Sequence, residues 1–228
     1  VSFDTGRKGA IYAEFILKAR KTGRIGNDFV YDDTLKVDTF WDIGGTSGKS
    51  GSEATAIWFA QRRGNKVIFI DYVEAHFDSM AQIVRTLESK DYNYGTHVLP
   101  WDGNHTAPSS NGNTFQSLLY DHLIESTVSC DIDTNSKGSV NVDIQQVRAK
   151  FSTFHFSEDN CSLGLERLDA YSRKWDPKKY VYSKDPDHDE NSHGADALRT
   201  FAMYTDFRED LYSYPDDSEV SEYDYWDI

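Results

Sequence analysis

The chain has 228 residues, a formal net charge of −14 and a mean hydropathy of −0.65. This length can bury a sizeable core, so one domain of about 170 to 200 residues with flanking segments is predicted. No apolar run approaches the roughly 20 residues that span a bilayer, and the first residues lack the apolar core of a signal peptide. Two cysteines, Cys130 and Cys161, without a CxxC pair, argue against a zinc site and favour a reducing, cytoplasmic setting.

The N-terminal segment combines a helical pattern with a turn-rich stretch. Residues 6–20 predict a helix, because Ile11, Phe15 and Ala19 fall on one of its faces. A stretch rich in Gly, Asn and Asp follows and is typical of a surface loop. We therefore interpret residues 1–36 as a linker or hinge.

Three strands, a helix and a fourth strand come next, as apolar runs bounded by turn residues indicate. The second and third strands are separated by a tight-turn signal, Arg-Arg-Gly-Asn. A strand–helix–strand order implies a right-handed parallel crossover, which places the fourth strand beside the first. The predicted strands are residues 36–43, 54–61, 66–72 and 96–101, and the helix spans residues 77–87.

The second half of the chain predicts helices that alternate with short β segments, without an internal repeat. The domain that these elements form is predicted to span residues 37–208. The elements are a helix at 114–125, a β-hairpin over 126–143, a helix at 143–150, a fifth strand at 153–156, a helix at 159–171, a polar loop at 176–191 and a helix from about 192.

Three aspartates stand at the ends of these elements. Asp42 follows the first strand, Asp102 follows the fourth, and Asp196 lies in the last helix. Each one alone has an ordinary interpretation, as a turn residue or as a first-turn acid that the helix dipole favours. Because open α/β sheets place their sites at the carboxyl ends of the strands, Asp42 and Asp102 should emerge side by side. Carboxylates gathered in this way can hold a pair of hard divalent cations against a phosphodiester.

In this order the motifs resemble the nuclease domain of the large terminase subunit of tailed bacteriophages. The resemblance covers residues 1 to about 208, and the ordered set is more specific than any one motif. The main motifs are Trp-Asp-Ile-Gly at 41–44, Ile-Asp-Tyr-Val-Glu at 70–74, Leu-Pro-Trp-Asp-Gly at 99–103 and Ser-His-Gly-Ala-Asp-Ala-Leu-Arg at 192–199.

The resemblance implies an α/β, ribonuclease H-like fold with a mixed five-stranded sheet and helices on both faces. It also implies a metal-dependent endonuclease that cleaves double-stranded concatemeric viral DNA during genome packaging. The implied partners are double-stranded DNA, the portal protein and the small terminase subunit. An upstream ATPase domain is expected to precede the residues that we interpret as a hinge.

The resemblance also assigns roles to residues. The metal-binding triad of the family is matched by Asp42, Asp102 and Asp196. The resemblance implies that Asp42 bridges two Mg²⁺ or Mn²⁺ ions, that Asp102 completes the coordination shell of one ion and that Asp196 completes the shell of the other. His193 matches a position that approaches a metal or positions a water, although it also fits a solvent-facing residue at a helix N-terminus. Glu74 matches an acid near the sheet end, and a structural surface role fits it equally well.

One loop departs from the family pattern. Family members place a second Asp close after the first strand, whereas this chain has a longer Gly- and Ser-rich loop with Glu53 as a weak substitute. The same loop nearly matches a P-loop, but Ile43 stands where the motif requires Gly, and a strand rather than a helix is predicted to follow. ATP binding by this chain is therefore not expected.

The acidic balance counts against a broad basic face for nucleic acid. Eight of the 38 acidic residues lie in the segment 209–228, which has no Lys or Arg, so the remainder carries 30 acidic and 24 basic residues. We predict phosphate contacts at four basic residues. These are Lys137, at the tip of the predicted hairpin, Arg148, Arg173 and Lys174.

The acidic segment 209–228 also contains aromatic residues and should be mobile in isolation. It fits an inert terminus, a cover for the cleft or a docking segment for a basic patch on a partner such as the portal, and of the functional readings we favour docking.

Two other functions remain open at this point. One is another ribonuclease H-like enzyme, a junction resolvase or transposase core, which would act on branched DNA or join strands. The other is a non-enzymatic module that docks DNA or a portal ring.

Overall fold

The computed structural model describes residues 9–44, 54–106 and 112–209, with side chains described as far as Tyr204. Glu53 and residues 210–228, on which two expectations rested, lie outside these ranges. The strands are β1 (Ile25–Gly26), β2 (Val37–Asp42), β3 (Thr55–Arg63), β4 (Lys66–Ala75), β5 (Tyr94–Leu99), β6 (Ile132–Thr134), β7 (Phe154–Ser157), β8 (Arg173–Asp176) and β9 (Val181–Pro186). The helices are α1 (Ala13–Lys21), α2 (Met80–Glu88), α3 (Phe115–Leu123), α4 (Val140–Lys150), α5 (Ser162–Ala170) and α6 (Ser192–Glu209).

Seven strands form one mixed sheet in the order β1-β7-β4-β3-β2-β5-β6. Strands β2, β3 and β4 pair antiparallel, and β2 pairs parallel with β5, with Phe40 opposite Val98. All five predicted strands are present, and the predicted parallel neighbours are confirmed. The sheet has seven strands instead of five because β1 and β6 extend its two edges. These strands have two and three residues, too few to show a hydrophobic period.

Helices cover both faces of the sheet, as predicted. One core joins the sheet to α1, α4, α5 and α6 around Trp58 and Phe69, and a second joins it to α2 and α3 around Ile57 and Phe59. Successive residues of β3 point into opposite cores, and both cores exclude water. This explains why the first seven residues of β3 are buried without alternation.

From Gly9 onward, the segment that we interpreted as a linker is part of the domain. Tyr12, Ile16 and Ala19 are buried in the core, and Ile25 pairs with Phe156 in the sheet. The sequence analysis missed this packing for two reasons. Only one face of α1 is apolar, and the stretch that follows α1 is rich in Gly and Asp. The other domain boundaries, and the upstream ATPase domain, stay predictions.

The prediction of a β-hairpin over residues 126–143 is wrong. Residues Ile132–Thr134 pair in parallel with the open edge of β5, and α4 begins at Val140. A separate two-stranded hairpin, β8–β9, instead forms around the segment that was predicted as a polar loop. Its side chains are largely exposed, so it lacks the alternating burial that marks a strand in sequence.

None of the helices in the described part of the chain has the length and apolarity needed to cross a membrane. Cys130 is exposed and Cys161 is buried, and both are free thiols.

A buried histidine of β5, His97, contacts the neighbouring strand β2. The hydroxyl of Thr39 and Nδ1 of His97 are 2.7 Å apart, and Nε2 of His97 is 3.0 Å from the carbonyl oxygen of Ser129. Trp41 donates from its indole to the same Thr39 hydroxyl at 2.7 Å. Burial lowers the pKa of His97 to about 4, although the hydrogen bond to the Ser129 carbonyl and the charge of Asp131 both act to raise it.

We predict that this histidine destabilises the fold in mild acid. In the unfolded chain this imidazole binds a proton below its ordinary pKa of 6.5, whereas in the folded chain it stays neutral down to about pH 4. The free energy of unfolding therefore falls as the pH drops through this window. The loss between pH 7 and pH 5 should be about 2 kcal/mol. Denaturant unfolding of His97→Gln should show a smaller acid loss than the wild type. His122→Gln, an exposed match, should behave like the wild type, and equal acid losses in all three would contradict the prediction.

Candidate active site

The three predicted aspartates line one cavity of about 200 Å³ at the carboxyl ends of β2 and β5. Asp42 is the last residue of β2, Asp102 lies in the 3₁₀ turn Trp101–Asn104 after β5, and Asp196 lies in the second turn of α6. Because β2 and β5 are parallel neighbours, the polypeptide leaves both strands at the same end of the sheet. The fold thus brings together side chains from distant parts of the sequence.

Asp42 is paired with the histidine that the sequence singled out. Oδ2 of Asp42 lies 3.1 Å from Nδ1 of His193, and the two side chains are only 22% and 11% exposed. The bond to Asp42 raises the pKa of His193, although its partial burial works the other way. Burial raises the pKa of Asp42 despite the bond to His193, and the nearby charge of Asp102 adds to the effect. His193 is therefore turned into the site and does not face solvent.

Asp196 is paired with an arginine one helical turn further on. Nη2 of Arg199 lies 2.9 Å from Oδ1 of Asp196. This contact is an ion pair without hydrogen-bond alignment, so the buried Oδ1 accepts no hydrogen bond among the described residues. Burial raises the pKa of Asp196 to about 6 although Arg199 opposes the shift, and the charge of Asp42 raises it further. The positive charge of Arg199 thus compensates the negative charge of the Asp196 carboxylate only in part.

A fourth acid, which the sequence analysis missed, lines the same cavity. Asp143 lies in the first turn of α4, its side chain is 9% exposed, and its Oδ2 is 3.9 Å from Nη1 of Arg199. Burial raises the pKa of Asp143. The only sequence signal was an acid near a helix start, and the mistaken hairpin at 126–143 concealed it.

Asp102 is the exposed member of the set. Its turn is closed by Gly103, whose N–H donates to the carbonyl of Pro100 at 2.9 Å. Trp101 stands beside it, 39% exposed, and Nζ of Lys137 lies 4.6 Å from the centroid of that indole ring. Lys137 is thus placed at the rim of the cavity, on the loop before α4.

The first turn of α6 is fixed by a buried polar cluster. Glu74 accepts hydrogen bonds from the hydroxyl of Tyr72 at 2.6 Å and from Nη2 of Arg167 at 2.7 Å. The carbonyl of Gly194 accepts from the indole of Trp58 at 2.8 Å, and a Cβ at Gly194 would lie 3.0 Å from the Tyr72 hydroxyl oxygen. Glu74 therefore has a structural role, as considered from the sequence, but its side chain is only 7% exposed and does not lie on the surface.

The donor set fits a hard divalent cation such as Mg²⁺ or Mn²⁺. Such ions prefer carboxylate oxygens, and the cavity offers Asp42, Asp102 and Asp196, of which Asp196 has a buried oxygen without a hydrogen bond. Among the residues that the structure describes, no three acidic, histidine or cysteine side chains converge closely enough to form a ready-made metal cluster. Asp42 and Asp196 are instead turned towards His193 and Arg199.

The four predicted phosphate-binding residues lie in three different places. Lys137 is at the cavity rim, and Arg173 and Lys174 lie on β8, where Arg173 also donates to the carbonyl of Lys184. Arg148 does not reach the cavity. It donates to the carbonyl of Ile11 at 2.9 Å and lies over the ring of Phe15, so it fastens α4 to the N-terminal segment.

Comparison with solved structures identifies the fold. The chain matches the large terminase from a thermophilic bacteriophage with a TM-score of 0.59 and 15% identity, over 87% of this chain and 45% of that one. It matches the g2p (large terminase) nuclease domain from bacteriophage SPP1 with bound Mn (0.53, 15%, 80% and 95%) and the P22 large terminase nuclease domain (0.53, 14%, 79% and 90%).

No protein-family model matches the chain, and no curated protein sequence matches it significantly. The chain thus spans less than half the length of the large terminase from the thermophilic phage and nearly all of the SPP1 and P22 nuclease domains. Its fold is the ribonuclease H-like fold of the terminase nuclease domains, as the sequence motifs predicted.

We predict that the charge of Asp196 destabilises the metal-free domain at neutral pH. Its pKa rises from 3.8 in the unfolded chain to about 6 in the fold, so the folded state gains stability as the pH falls through this window. The shift corresponds to at most about 3 kcal/mol. In chelator, Asp196→Asn should lack this gain between pH 7.5 and pH 5, whereas Asp102→Asn should keep it. Unfolding free energies that change equally with pH in both variants would contradict this.

Proposed function

We propose that this domain is a divalent-metal-dependent endonuclease that cuts double-stranded concatemeric viral DNA during genome packaging. The observation that carries the proposal is the gathering of Asp42, Asp102 and Asp196 on one cavity, at the carboxyl ends of neighbouring parallel strands. The fold of terminase nuclease domains supports it, as does the bound Mn in the SPP1 domain.

In this proposal Asp42, Asp102 and Asp196 are the residues that would hold two Mg²⁺ or Mn²⁺ ions. When bound, such ions activate the attacking water and stabilise the departing 3′ oxygen. His193 keeps the Asp42 carboxylate aimed into the cavity through the 3.1 Å contact of its Nδ1. The cluster around Glu74 and the indole of Trp58 keep the α6 residues in place relative to the strand ends.

Basic and aromatic side chains on the β8–β9 hairpin supply the contacts that a DNA backbone needs. Lys174, Lys178 and Lys179 are exposed, as are the rings of Trp175 and Tyr180. The base of the hairpin touches the start of α4, where Asn141 donates to Asp185 at 3.3 Å. Because α4 lines the cavity, the hairpin stands beside it. Together with Lys137 at the rim, it would hold phosphates without reading bases.

The wider setting of the proposal is the packaging motor in the host cytoplasm, with the portal protein and the small terminase subunit as partners. A separate ATPase domain would drive translocation. The likeness to a phage large terminase supports the proposal of these partners.

The test is cleavage of supercoiled plasmid by the purified chain with Mn²⁺, with Mg²⁺ and with chelator. We expect linear and nicked products only with a divalent ion. Asp42→Asn, Asp102→Asn and Asp196→Asn should each reduce the rate by at least about 100-fold, since the loss of an outer-shell partner alone costs about 10–100-fold. Asp121→Asn, an exposed acid on α3, is the matched control and should keep full activity.

Several outcomes would redirect the proposal. Full activity of the aspartate variants, or cleavage in chelator, would contradict the site. Efficient cutting of a four-way junction with no cutting of plain duplex would indicate a junction resolvase. Absence of any cleavage and of any effect of Mn²⁺ on thermal unfolding would indicate a non-enzymatic docking module.

A further inference from the structure

A buried guanidinium stands between two carboxylates of the cavity. Arg199, with a side chain only 15% exposed, contacts Asp196 through Nη2 at 2.9 Å and approaches Asp143 through Nη1 at 3.9 Å. An arginine side chain is not deprotonated in proteins. The guanidinium therefore keeps a full positive charge inside the cavity.

That charge competes with a divalent cation for Asp196. A cation and a guanidinium that share one carboxylate repel each other strongly at such short range, and little water screens them in a buried site. Binding of a cation at Asp196 is therefore easier if another acid takes over the guanidinium. Besides Asp196, Asp143 is the described acid that forms an ion pair with Arg199, and its Oδ2 already faces the second terminal nitrogen.

The fold holds Asp143 in this place. Its backbone N–H donates to the carbonyl of Ser139 at 2.9 Å, and its carboxylate sits against the loop before α4. A Cβ at Gly138 would lie 2.8 Å from both carboxylate oxygens, so only a glycine lets the loop pass this closely. Because α4 packs against α6, the helices that carry Asp143 and Arg199 are held next to each other.

We propose that Asp143 is a positioning residue that holds the Arg199 guanidinium and thereby sets the affinity of the cavity for divalent cations. The inference rests on the proposed function, since it assumes that the cavity binds such ions. Asp143 acts through Arg199 and does not itself ligate the ion.

The two variants of this pair should change metal affinity in opposite directions. In Asp143→Asn the guanidinium is left to Asp196 alone, so Mn²⁺ binding should weaken by about 10-fold or more, the usual effect of removing an outer-shell partner. In Arg199→Gln the competing charge is gone, so Mn²⁺ binding should tighten. Titration calorimetry of the whole chain with Mn²⁺ alone measures both.

The double variant separates positioning from direct ligation. Once Arg199 is Gln, Asp143→Asn should change the Mn²⁺ affinity less than about 2-fold, because the residue through which Asp143 acts is absent. An equal weakening in both backgrounds would make Asp143 a ligand and overturn the proposal, as would an unchanged affinity in the single Asp143→Asn variant.

Folding is controlled by unfolding each variant in chelator. If Arg199→Gln does not fold, Arg199→Lys replaces it, and because the charge is kept, Asp143→Asn should still weaken Mn²⁺ binding in that background; no further weakening there would contradict the proposal. A wild-type chain that binds no Mn²⁺ would contradict the proposed function itself and this inference with it. A wild type that binds Mn²⁺, with effects of Asp143→Asn and Arg199→Gln that simply add, would contradict this inference alone.

Discussion

Negative charge that is only partly compensated, at one end of the sheet, is the constraint on which the rest of this structure depends. The parallel pair β2–β5 ends in Asp42 and Asp102, and α6 and α4 add Asp196 and Asp143, so four acids share a cavity of about 200 Å³. Buried carboxylates repel one another and raise each other's pKa unless a cation offsets them. Without a metal, His193 compensates the charge of Asp42. Arg199 of α6 compensates the charges of Asp196 and Asp143 only in part.

The packing of α6 turns this electrostatic problem into a defined geometry. The helix is fastened to the sheet at two levels, where the indole of Trp58 donates to Gly194 and the hydroxyl of Thr200 donates to the carbonyl of Trp41 at 2.9 Å. Both anchors lie close to Asp196 along the helix. The position of the helical acid relative to the strand ends is thus set by contacts that do not depend on a cation, which keeps the binding groups preorganised.

Much of the fold was predictable, because buried strands covered on both faces give continuous apolar runs and because acids at strand ends are visible in sequence. Asp42 and Asp102 were predicted as site residues in this way, and the structure places both on one cavity. Asp143 was not predicted, because it reaches the cavity only through the packing of α4 on α6. That packing is a long-range contact that no local sequence pattern encodes. Arg199 lies three residues after Asp196, so helical spacing could have indicated their pairing. Arg148 resembled a phosphate contact only because its charge is visible in sequence and its bond to the backbone is not.

Anomalous diffraction from crystals of the chain grown with Mn²⁺ tests the central claim most directly. We expect manganese peaks inside the cavity, ligated by Asp42, Asp102 and Asp196, with the Arg199 guanidinium moved away from Asp196 towards Asp143. Peaks elsewhere on the molecule, or a cavity without manganese in which Asp196 keeps its ion pair with Arg199, would contradict the account.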